Sequence, residues 1–358
     1  MKQKVMIGMS GGVDSSAAAG LLLEQGYDVI GVTFRLWKPQ DEWPDLFANK
    51  GKDDIADAKK VCEHLGIPHH VIDMREEFKR DVIENFVSEY QAGRTPSPCI
   101  VCNQKIKFGL FYEKAKELGA DFISTGHYAR IDQDKTGIWQ LKTSFYPEKD
   151  QSYFLYHIPY DRLPYILFPL GNYTKPQVRE IAEKFGFEHV SRKKDSQEIC
   201  FIDAKEGYGK FLERYVGTVP PKGNFVDSKG NPLGQHKGIW YYTVGQRKGL
   251  GMAFGKPMYV ASIDPSSNTV CLKDDQEIYH DQLTISDICY LLPEPLTSPT
   301  KVMVKIRNRA PYAAATLIPQ ENGTANIQFE QPQRAITKGQ SAVCYQGEAV
   351  IAGGVIIE

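Results

Sequence analysis

Residues 9–16 read Met-Ser-Gly-Gly-Val-Asp-Ser-Ser and separate two apolar stretches of different kinds. The run 5–8 before them predicts a β-strand, and the alanine- and leucine-rich stretch 17–23 after them predicts a helix. A strand, a glycine turn and a helix in this order direct backbone N–H groups and the positive end of a helix dipole at one place. The beginning of the chain is therefore predicted to bind phosphate.

This segment lacks two common nucleotide-binding motifs. No Lys-Ser/Thr pair follows its second glycine, as a Walker A loop requires, and it has no G-x-G-x-x-G spacing. Ser-Gly-Gly-x-Asp-Ser at 10–15 instead resembles the PP-loop of ATP pyrophosphatases, which split ATP between its α and β phosphates and adenylate a carbonyl oxygen. The glycines let the backbone approach pyrophosphate, Ser10 and Ser15 offer hydroxyl donors, and Asp14 can hold magnesium. The alternative is an ordinary glycine-serine turn.

Composition limits the class of protein. The 358 residues suffice for about two or three domains, and 42% hydrophobic with 24% charged residues is typical of soluble globular proteins. No apolar stretch approaches the roughly 20 residues that span a bilayer, and we find no signal or transit pattern. Seven cysteines, an odd number, favour a reducing compartment. We expect a cytoplasmic protein with no membrane association, and a net charge of −1 means that any nucleic-acid surface is local.

The pattern of predicted elements changes near residue 205. Strand-like and helix-like segments alternate before it, which predicts an α/β fold with a doubly wound parallel sheet and a ligand beyond the carboxyl ends of the strands. Short β-like runs after it predict a small β-rich central domain and then a C-terminal antiparallel β-barrel. The predicted domains are 1–205, 206–285 and 286–358.

The segment 93–103 contains two prolines and the thiols of Cys99 and Cys102. The prolines predict a stiff loop before a helix that begins near Ile106. A thiol at a helix N-terminus beside two lysines is expected to have a lowered pKa. A third thiol, Cys200, follows a basic cluster with the same expected effect.

Three interpretations of the cysteines remain open. Zinc would use the C-x-x-C pair as a half-site, but a second pair of ligands would have to come from Cys62 and His64. Burial in the core suits the cysteines that lie in or beside apolar runs, namely Cys62, Cys271, Cys289 and Cys344. A thiol pair joined to an ATP-adenylating loop would instead insert sulfur and convert C=O into C=S.

Motifs along nearly the whole chain are similar to those of the bacterial tRNA-specific 2-thiouridylase family, a branch of the PP-loop ATP pyrophosphatases. They are Gly-Met-Ser-Gly-Gly-Val-Asp-Ser at 8–15, Gly-Arg-Thr-Pro at 93–96, Cys-Asn at 102–103, Thr-Gly-His-Tyr at 125–128, Lys-Asp-Gln-Ser at 149–152, Ser-Gln-Glu-Ile-Cys-Phe at 196–201, Thr-Val-Gly-Gln-Arg-Lys-Gly-Leu-Gly at 243–251 and Gly-Gly-Val at 353–355.

This resemblance implies a tRNA-uridine 2-sulfurtransferase that converts ATP into AMP and pyrophosphate with Mg²⁺. It implies that the C2 carbonyl of the wobble uridine is adenylated and that sulfur from a cysteine persulfide replaces its oxygen, giving 2-thiouridine. Cys200 would carry the persulfide received from a sulfur-relay protein, Cys102 would be the nucleophile, and Asp14 would lie beside magnesium. The implied ATP-binding residues are Gly8, Met9, Ser10, Gly11, Gly12, Val13, Asp14, Ser15, Phe34 and Gly126.

The chain departs from the family at the residues implied to touch the target base, Ser97, Pro98 and Cys99. Many members carry Asp at position 99 and often Asn at 97. Cys99 is then either a passive neighbour, or it joins Cys102 and Cys200 as a ligand of a 4Fe-4S cluster with one open iron. We favour the persulfide pair of Cys102 and Cys200.

A wobble base leaves its anticodon stack at a cost of a few kcal/mol, so the enzyme needs a broad surface to hold the tRNA. Basic candidates are residues 192–194, 246–248 and 305–309. The resemblance adds His127, Lys149, Asp150, Gln151, Arg307, Asn308 and Gln340. Position 308 is often aromatic in the family, so Asn308 loses a stacking contact. His127 has the alternative of capping a neighbouring helix, and we expect the protein to be a monomer.

Two other functions compete with this one. A PP-loop amidotransferase or synthetase for a small molecule would give Cys102 and Cys200 no role and would need an ammonia source. A non-catalytic RNA-binding protein with a vestigial nucleotide loop would not be expected to retain the intact Ser-Gly-Gly-x-Asp-Ser motif.

Overall fold

The computed structural model describes residues 2–36, 52–188, 199–203 and 205–358. The basic cluster at 192–194 and the motif residues 196–198 lie outside these ranges. The α-helices of the described residues are α1 (Val13–Glu24), α2 (Lys52–Leu65), α3 (Arg75–Phe78), α4 (Glu84–Gln91), α5 (Pro98–Cys102), α6 (Phe111–Glu117), α7 (Lys175–Lys184) and α8 (Gly207–Val216). Within that part of the chain, none of them is long and apolar enough to cross a bilayer.

The strands form three sheets. They are β1 (Lys4–Gly8), β2 (Asp28–Arg35), β3 (His69–Asp73), β4 (Phe122–Ser124), β5 (Ala129–Gln133), β6 (Trp139–Thr143), β7 (Ile166–Leu167), β8 (Gly223–Val226), β9 (Pro232–His236), β10 (Tyr259–Asp264), β11 (Thr269–Lys273), β12 (Tyr279–Tyr290), β13 (Thr300–Lys305), β14 (Ala313–Pro319), β15 (Ala325–Arg334), β16 (Ser341–Gln346) and β17 (Ala349–Ile356).

The first sheet is parallel, with the order β3-β2-β1-β4-β7. Both of its faces are covered, since Val5 and Ile7 of β1 pack into one apolar cluster and Met6 packs into another. Strand order reverses between β1 and β4, so the loops that follow these two strands meet at the carboxyl edge of the sheet. The predicted doubly wound sheet is confirmed.

The middle of the chain forms a four-stranded mixed sheet in the order β10-β11-β8-β9, in which only β8 and β11 are parallel. This is the predicted β-rich central part. It contacts the first domain through aromatic rings, for example Tyr208 of α8 stacked on Tyr90 of α4 at 4.9 Å between ring centroids.

Six antiparallel strands close the predicted C-terminal barrel, in the order β12-β15-β14-β13-β16-β17, with β12 pairing again with β17. Strand β12 begins at Tyr279, so the predicted boundary between residues 285 and 286 falls inside it. The hairpin of β5 and β6 comes from the first domain and joins this sheet, because β6 pairs with the start of β17 at Ala349 and Val350. The barrel and the first domain therefore share one continuous sheet.

The helix that carries the thiols starts earlier than the sequence suggested. We predicted a loop up to residue 103 and a helix from about Ile106, and this was wrong. Helix α5 begins at Pro98 and runs through a π-helical stretch, Asn103–Leu110, into α6. A proline at the first helical position costs no hydrogen bond, since its N–H would be unpaired there anyway. Cys99 consequently lies in the first turn, and Cys102 in the second turn, of a long helix over residues 98–117, the thiol helix.

Candidate nucleotide and thiol site

Hydroxyl side chains form hydrogen bonds with the backbone of the phosphate loop, residues 8–15. The backbone N–H of Ser10 donates to Oγ of Ser15 at 3.2 Å, and that hydroxyl donates to the carbonyl of Gly12 at 3.1 Å. On the strand side, Oγ1 of Thr33 donates to the carbonyl of Met9 at 2.9 Å. Ser15 is buried in this role, whereas Ser10 is exposed at the mouth of the loop. Ser10 is thus the better placed of the two hydroxyls to meet a phosphate.

At two positions the backbone lies so close to neighbouring atoms that only glycine fits. Gly11 has φ +68°, and a Cβ there would lie 2.7 Å from the carbonyl oxygen of Asp54 in α2. A Cβ at Gly126 would lie 2.9 Å from the backbone nitrogen of Ser15. Gly126 follows β4, so this contact joins the loops after β1 and β4. They border the crevice at the carboxyl edge of the sheet, where the sequence predicted a ligand. Sequence reasoning placed both glycines in the ATP site, and the structure brings their loops together.

Phe34 lies at the end of β2 beside the first glycine of the loop. A Cβ at Gly8 would lie 3.6 Å from its ring, and the ring packs edge-on against Phe111 of α6 at 4.9 Å. Phe34 is only partly buried. It therefore offers an apolar wall next to the phosphate loop, where an adenine or ribose was predicted.

Asp14 has a partner that the sequence did not reveal. Nζ of Lys175 donates to its two carboxylate oxygens at 2.7 and 2.9 Å, and the hydroxyl of Tyr128 donates to Oδ1 at 2.7 Å. Lys175 is 7% exposed and begins α7, which a capping box between Thr174 and Gln177 anchors. Thr-Lys-Pro-Gln is a readable helix start, but nothing in it shows that the lysine side chain points at a loop 161 residues away.

The phosphate loop is chemically suited to Mg²⁺ held mainly by a bound nucleotide. Mg²⁺ is usually bound through one or two carboxylates together with substrate phosphates. Asp14 supplies one carboxylate at the loop, and over the described ranges no three acidic, histidine or cysteine side chains cluster as a metal site. In this structure the Lys175 ammonium forms an ion pair with this carboxylate at 2.7 Å.

Burial, not the helix N-terminus, governs the ionisation of the thiols. Cys102 is 8% exposed, and burial raises the pKa of its thiol from 9.0 to about 11, although Lys107 opposes this. Cys99 reaches solvent, yet enough protein surrounds it to raise its pKa as well, again against Lys107. The predicted lowering of these pKa values was wrong, because desolvation outweighs the nearby positive charge.

Cys200 is exposed, whereas the residue after it is buried in the core. Phe201 is 1% exposed and packs its ring against Phe86 and Phe211, with centroids 5.4 and 5.2 Å away. The backbone at Cys200 is thereby fixed from one side to α4 and α8. Although all three are described, Cys99, Cys102 and Cys200 do not come together as a metal-binding group.

The remaining cysteines fit the core interpretation. Cys62 and Cys344 are fully buried, and burial raises their pKa values to about 11 and about 12. Cys271 and Cys289 are partly buried. Within the described chain, Cys62 belongs to no metal-binding group, and no disulfide joins any of the seven cysteines.

The residues predicted to contact tRNA lie in different environments. His127 is 9% exposed, bonds Thr125 through Nδ1 at 2.6 Å and packs beside Phe108; burial puts its pKa well below 6.5. Oδ1 of Asp150 accepts from the backbone N–H of Ser144 at 2.9 Å. Lys149 is partly buried, as is Asn308 in the barrel.

Three of the residues predicted to contact tRNA use polar side-chain atoms in hydrogen bonds within the protein. Oε1 of Gln151 accepts from the backbone N–H of Tyr128 at 2.8 Å, next to the crevice. Nη2 of Arg307 donates to the carbonyl of Ala335. Nε2 of Gln340 donates to the carbonyl of Thr95 at 2.9 Å. Their role in tRNA binding stays a prediction.

Models of known domain families match most of the chain. The first is described as tRNA methyl transferase HUP domain and matches residues 3–204, the second as tRNA methyl transferase PRC-barrel domain over 209–274, and the third as Aminomethyltransferase beta-barrel domain over 280–356. A solved NMN synthetase from Francisella tularensis is 20% identical, covering 61% of this chain and 78% of that one, with a TM-score of 0.35.

Curated relatives match over nearly their full length. The tRNA-specific 2-thiouridylase MnmA of Clostridioides difficile is 47% identical over 99% of this chain and 98% of that protein. The protein of the same name from Acetivibrio thermocellus is 48% identical over 99% of both. Together with the phosphate loop and the thiol-bearing helix, this identity shows that the chain belongs to the MnmA family of tRNA-specific 2-thiouridylases.

Proposed function

We propose that this protein uses ATP to convert the wobble uridine of certain tRNAs into 2-thiouridine. The observation that carries the proposal is the packing of the thiol helix beside the nucleotide loop. Its Phe108 lies 5.7 Å from His127 and its Phe111 lies 4.9 Å from Phe34, both measured between ring centroids. His127 directly follows Gly126, whose backbone packs against the phosphate loop. The thiols and the nucleotide loop thus belong to one crevice, as adenylation followed by sulfur transfer requires.

In the first step the uridine O2 attacks the α-phosphate of ATP, and pyrophosphate leaves. The loop backbone around Gly11 and Gly12 and the hydroxyl of Ser10 would hold the phosphates, and Lys175 would neutralise charge as it shifts from Asp14. Mg²⁺ bound beside Asp14 would neutralise further phosphate charge. The product is a uridine whose C2 oxygen carries AMP as a leaving group.

In the second step sulfur replaces that oxygen. The terminal sulfur of a persulfide on Cys200, received from a donor protein, bonds to C2 and AMP leaves. The thiolate of Cys102 then attacks the sulfur of Cys200, which forms a Cys102–Cys200 disulfide and leaves 2-thiouridine. A dithiol reductant is needed to restore both thiols. No disulfide joins Cys102 and Cys200 in this structure, as the start of this cycle requires.

Burial lowers the thiolate fraction of Cys102 in the resting site. With a pKa raised from 9.0 to about 11, its thiol carries less thiolate near neutral pH than an ordinary cysteine. Lys107 is the cation that favours its thiolate once the site closes around the substrate. The same protonation protects the resting enzyme from oxidation at Cys102.

The proposal is tested by anaerobic turnover with ATP, a persulfide donor, a dithiol reductant and unmodified tRNA, with the modified nucleoside identified by mass spectrometry. We expect 2-thiouridine from the wild type and from Cys99→Ser, and none from Cys102→Ser or Cys200→Ser. The core variant Cys344→Ala is the matched cysteine control and should keep turnover if it folds. Loss of activity in Cys99→Ser together with bound iron would favour a cluster, and a wild type that makes no 2-thiouridine would refute the function.

A further inference from the structure

The segment just before the thiol helix is bound to a turn of the C-terminal barrel. The backbone N–H of Thr95 donates to the carbonyl of Lys338 at 2.9 Å. In return, Nε2 of Gln340 donates to the carbonyl of Thr95 at 2.9 Å and lies 3.4 Å from that of Pro96. Three polar contacts therefore fix the two residues that precede the helix cap at Ser97.

The fit between these two segments leaves no room for a side chain. Gly339 has φ +87°, and a Cβ there would lie 3.0 Å from both the nitrogen and the oxygen of Thr95 and 3.1 Å from Cβ of Arg94. Arg94 itself is held to α4, since its backbone N–H donates to the carbonyl of Glu89 at 2.9 Å. The backbone at Thr95 is thus enclosed between α4 and the barrel turn.

The barrel turn is itself rigidly placed. The N–H of Gly339 donates to the carbonyl of Ile356 in β17 at 2.9 Å, and the N–H of Ile356 donates back to the carbonyl of Gln340 at 2.8 Å. The next residue, Ser341, accepts from the hydroxyl of Tyr153 at 2.9 Å through its carbonyl and bonds Tyr156 at 2.9 Å through Oγ. The turn is therefore a fixed support on which the start of the thiol helix rests.

We propose that Gln340 is a positioning residue for the thiol helix. Its amide holds the carbonyls of Thr95 and Pro96, which sets where α5 begins and so where Cys99 and Cys102 face the crevice. The barrel then completes the site for sulfur transfer in addition to any contact it makes with tRNA. Only the expected effect of Gln340 on the rate of sulfur transfer rests on the proposed function. The contacts that support the helix are present without substrate.

The first test uses Gln340→Met, which keeps the length of the side chain and removes both donors. Gln346→Met is the matched control, since Gln346 lies on the same barrel and its Nε2 donates to the backbone carbonyl of Lys301 at 3.3 Å, away from the thiol helix. Alkylation of Cys102 by iodoacetamide, without ATP or tRNA, should be about tenfold faster in Gln340→Met, as expected when one net hydrogen bond is lost. It should be unchanged in Gln346→Met, and Gln340→Lys, whose ammonium can donate to the same carbonyls, should restore slow alkylation.

The second test separates positioning from tRNA binding. We expect Gln340→Met to make 2-thiouridine about tenfold more slowly in single turnover with saturating tRNA. Its Kd for tRNA should change less than about twofold, because Nε2 of Gln340 is used by the carbonyls of Thr95 and Pro96; this positioning role replaces the tRNA contact that the resemblance implied. The proposal would be overturned if Cys102 in Gln340→Met were alkylated at the wild-type rate. A weaker affinity for tRNA with an unchanged single-turnover rate would also overturn it. If the wild type makes no 2-thiouridine, the function fails, and the alkylation result alone decides the role of Gln340.

Discussion

The ionisation of Cys102 gives a quantitative prediction about its reactivity. Only the thiolate is nucleophilic, and burial raises the pKa of this thiol from 9.0 to about 11. At pH 8 a thiol with a pKa of 9.0 is about one tenth ionised, whereas Cys102 would be about one thousandth ionised. The buried thiol should therefore have about one hundredth of the thiolate of an ordinary cysteine.

The assay follows the alkylation rate of Cys102 by iodoacetamide from pH 7.5 to 10, using peptide mass spectrometry in a Cys99→Ser background. The rate should rise about tenfold per pH unit over the whole range, because the group still titrates above it. Lys107→Met removes the cation that favours the thiolate, so at pH 8 alkylation should become slower still. Circular dichroism at each pH checks that the fold persists. A plateau at or below pH 9 would refute the reasoning, since burial would then not control the pKa.

Three further predictions concern stability and adenylation. Gly11→Ala should lower the free energy of unfolding by about 2–3 kcal/mol and weaken ATP binding, because it adds a clash to the strain of positive φ, whereas Gly119→Ala, with φ +72° and open space, should cost only about 1 kcal/mol. Lys175→Met should slow AMP formation at least about tenfold, since its ammonium is lost from the phosphate loop, and an unchanged rate would exclude that role. Phe201→Ala should cost about 3–5 kcal/mol in chemical denaturation because its ring is buried, while Phe145→Ala, 67% exposed, should be nearly neutral; equal costs would contradict this.

Local patterns were sufficient to predict the fold. The apolar run before the phosphate loop predicted β1, and the alanine-rich run after it predicted α1. Both segments are largely buried, as a central strand of a parallel sheet and the helix that follows it must be. The short alternating strands near the C-terminus predicted an antiparallel barrel, which closes through β12 and β17. Gly126 was placed in the ATP site from its motif; the structure packs it against the phosphate loop, and its role in ATP binding stays a prediction.

The sequence failed where distant parts of the chain decide the chemistry. The start of α5 was missed because Pro98 breaks a helix interior but suits a first helical position. The pKa of Cys102 was predicted in the wrong direction because burial depends on the whole tertiary structure. Lys175 and Gln340 gave no local signal, since their partners lie 161 and 245 positions away along the chain.

The pairing of β6 with β17 affects how this protein can be divided. A fragment that ends after the first domain would leave β6 as an open edge strand, with the unpaired N–H and C=O groups that β17 now satisfies at Ala349 and Val350. Such an edge invites pairing with a second chain, so the isolated domain would tend to aggregate. Leu141 in β6 is fully buried, so truncation would also uncover apolar surface. The first domain is therefore better studied by point substitution than by deletion of the barrel.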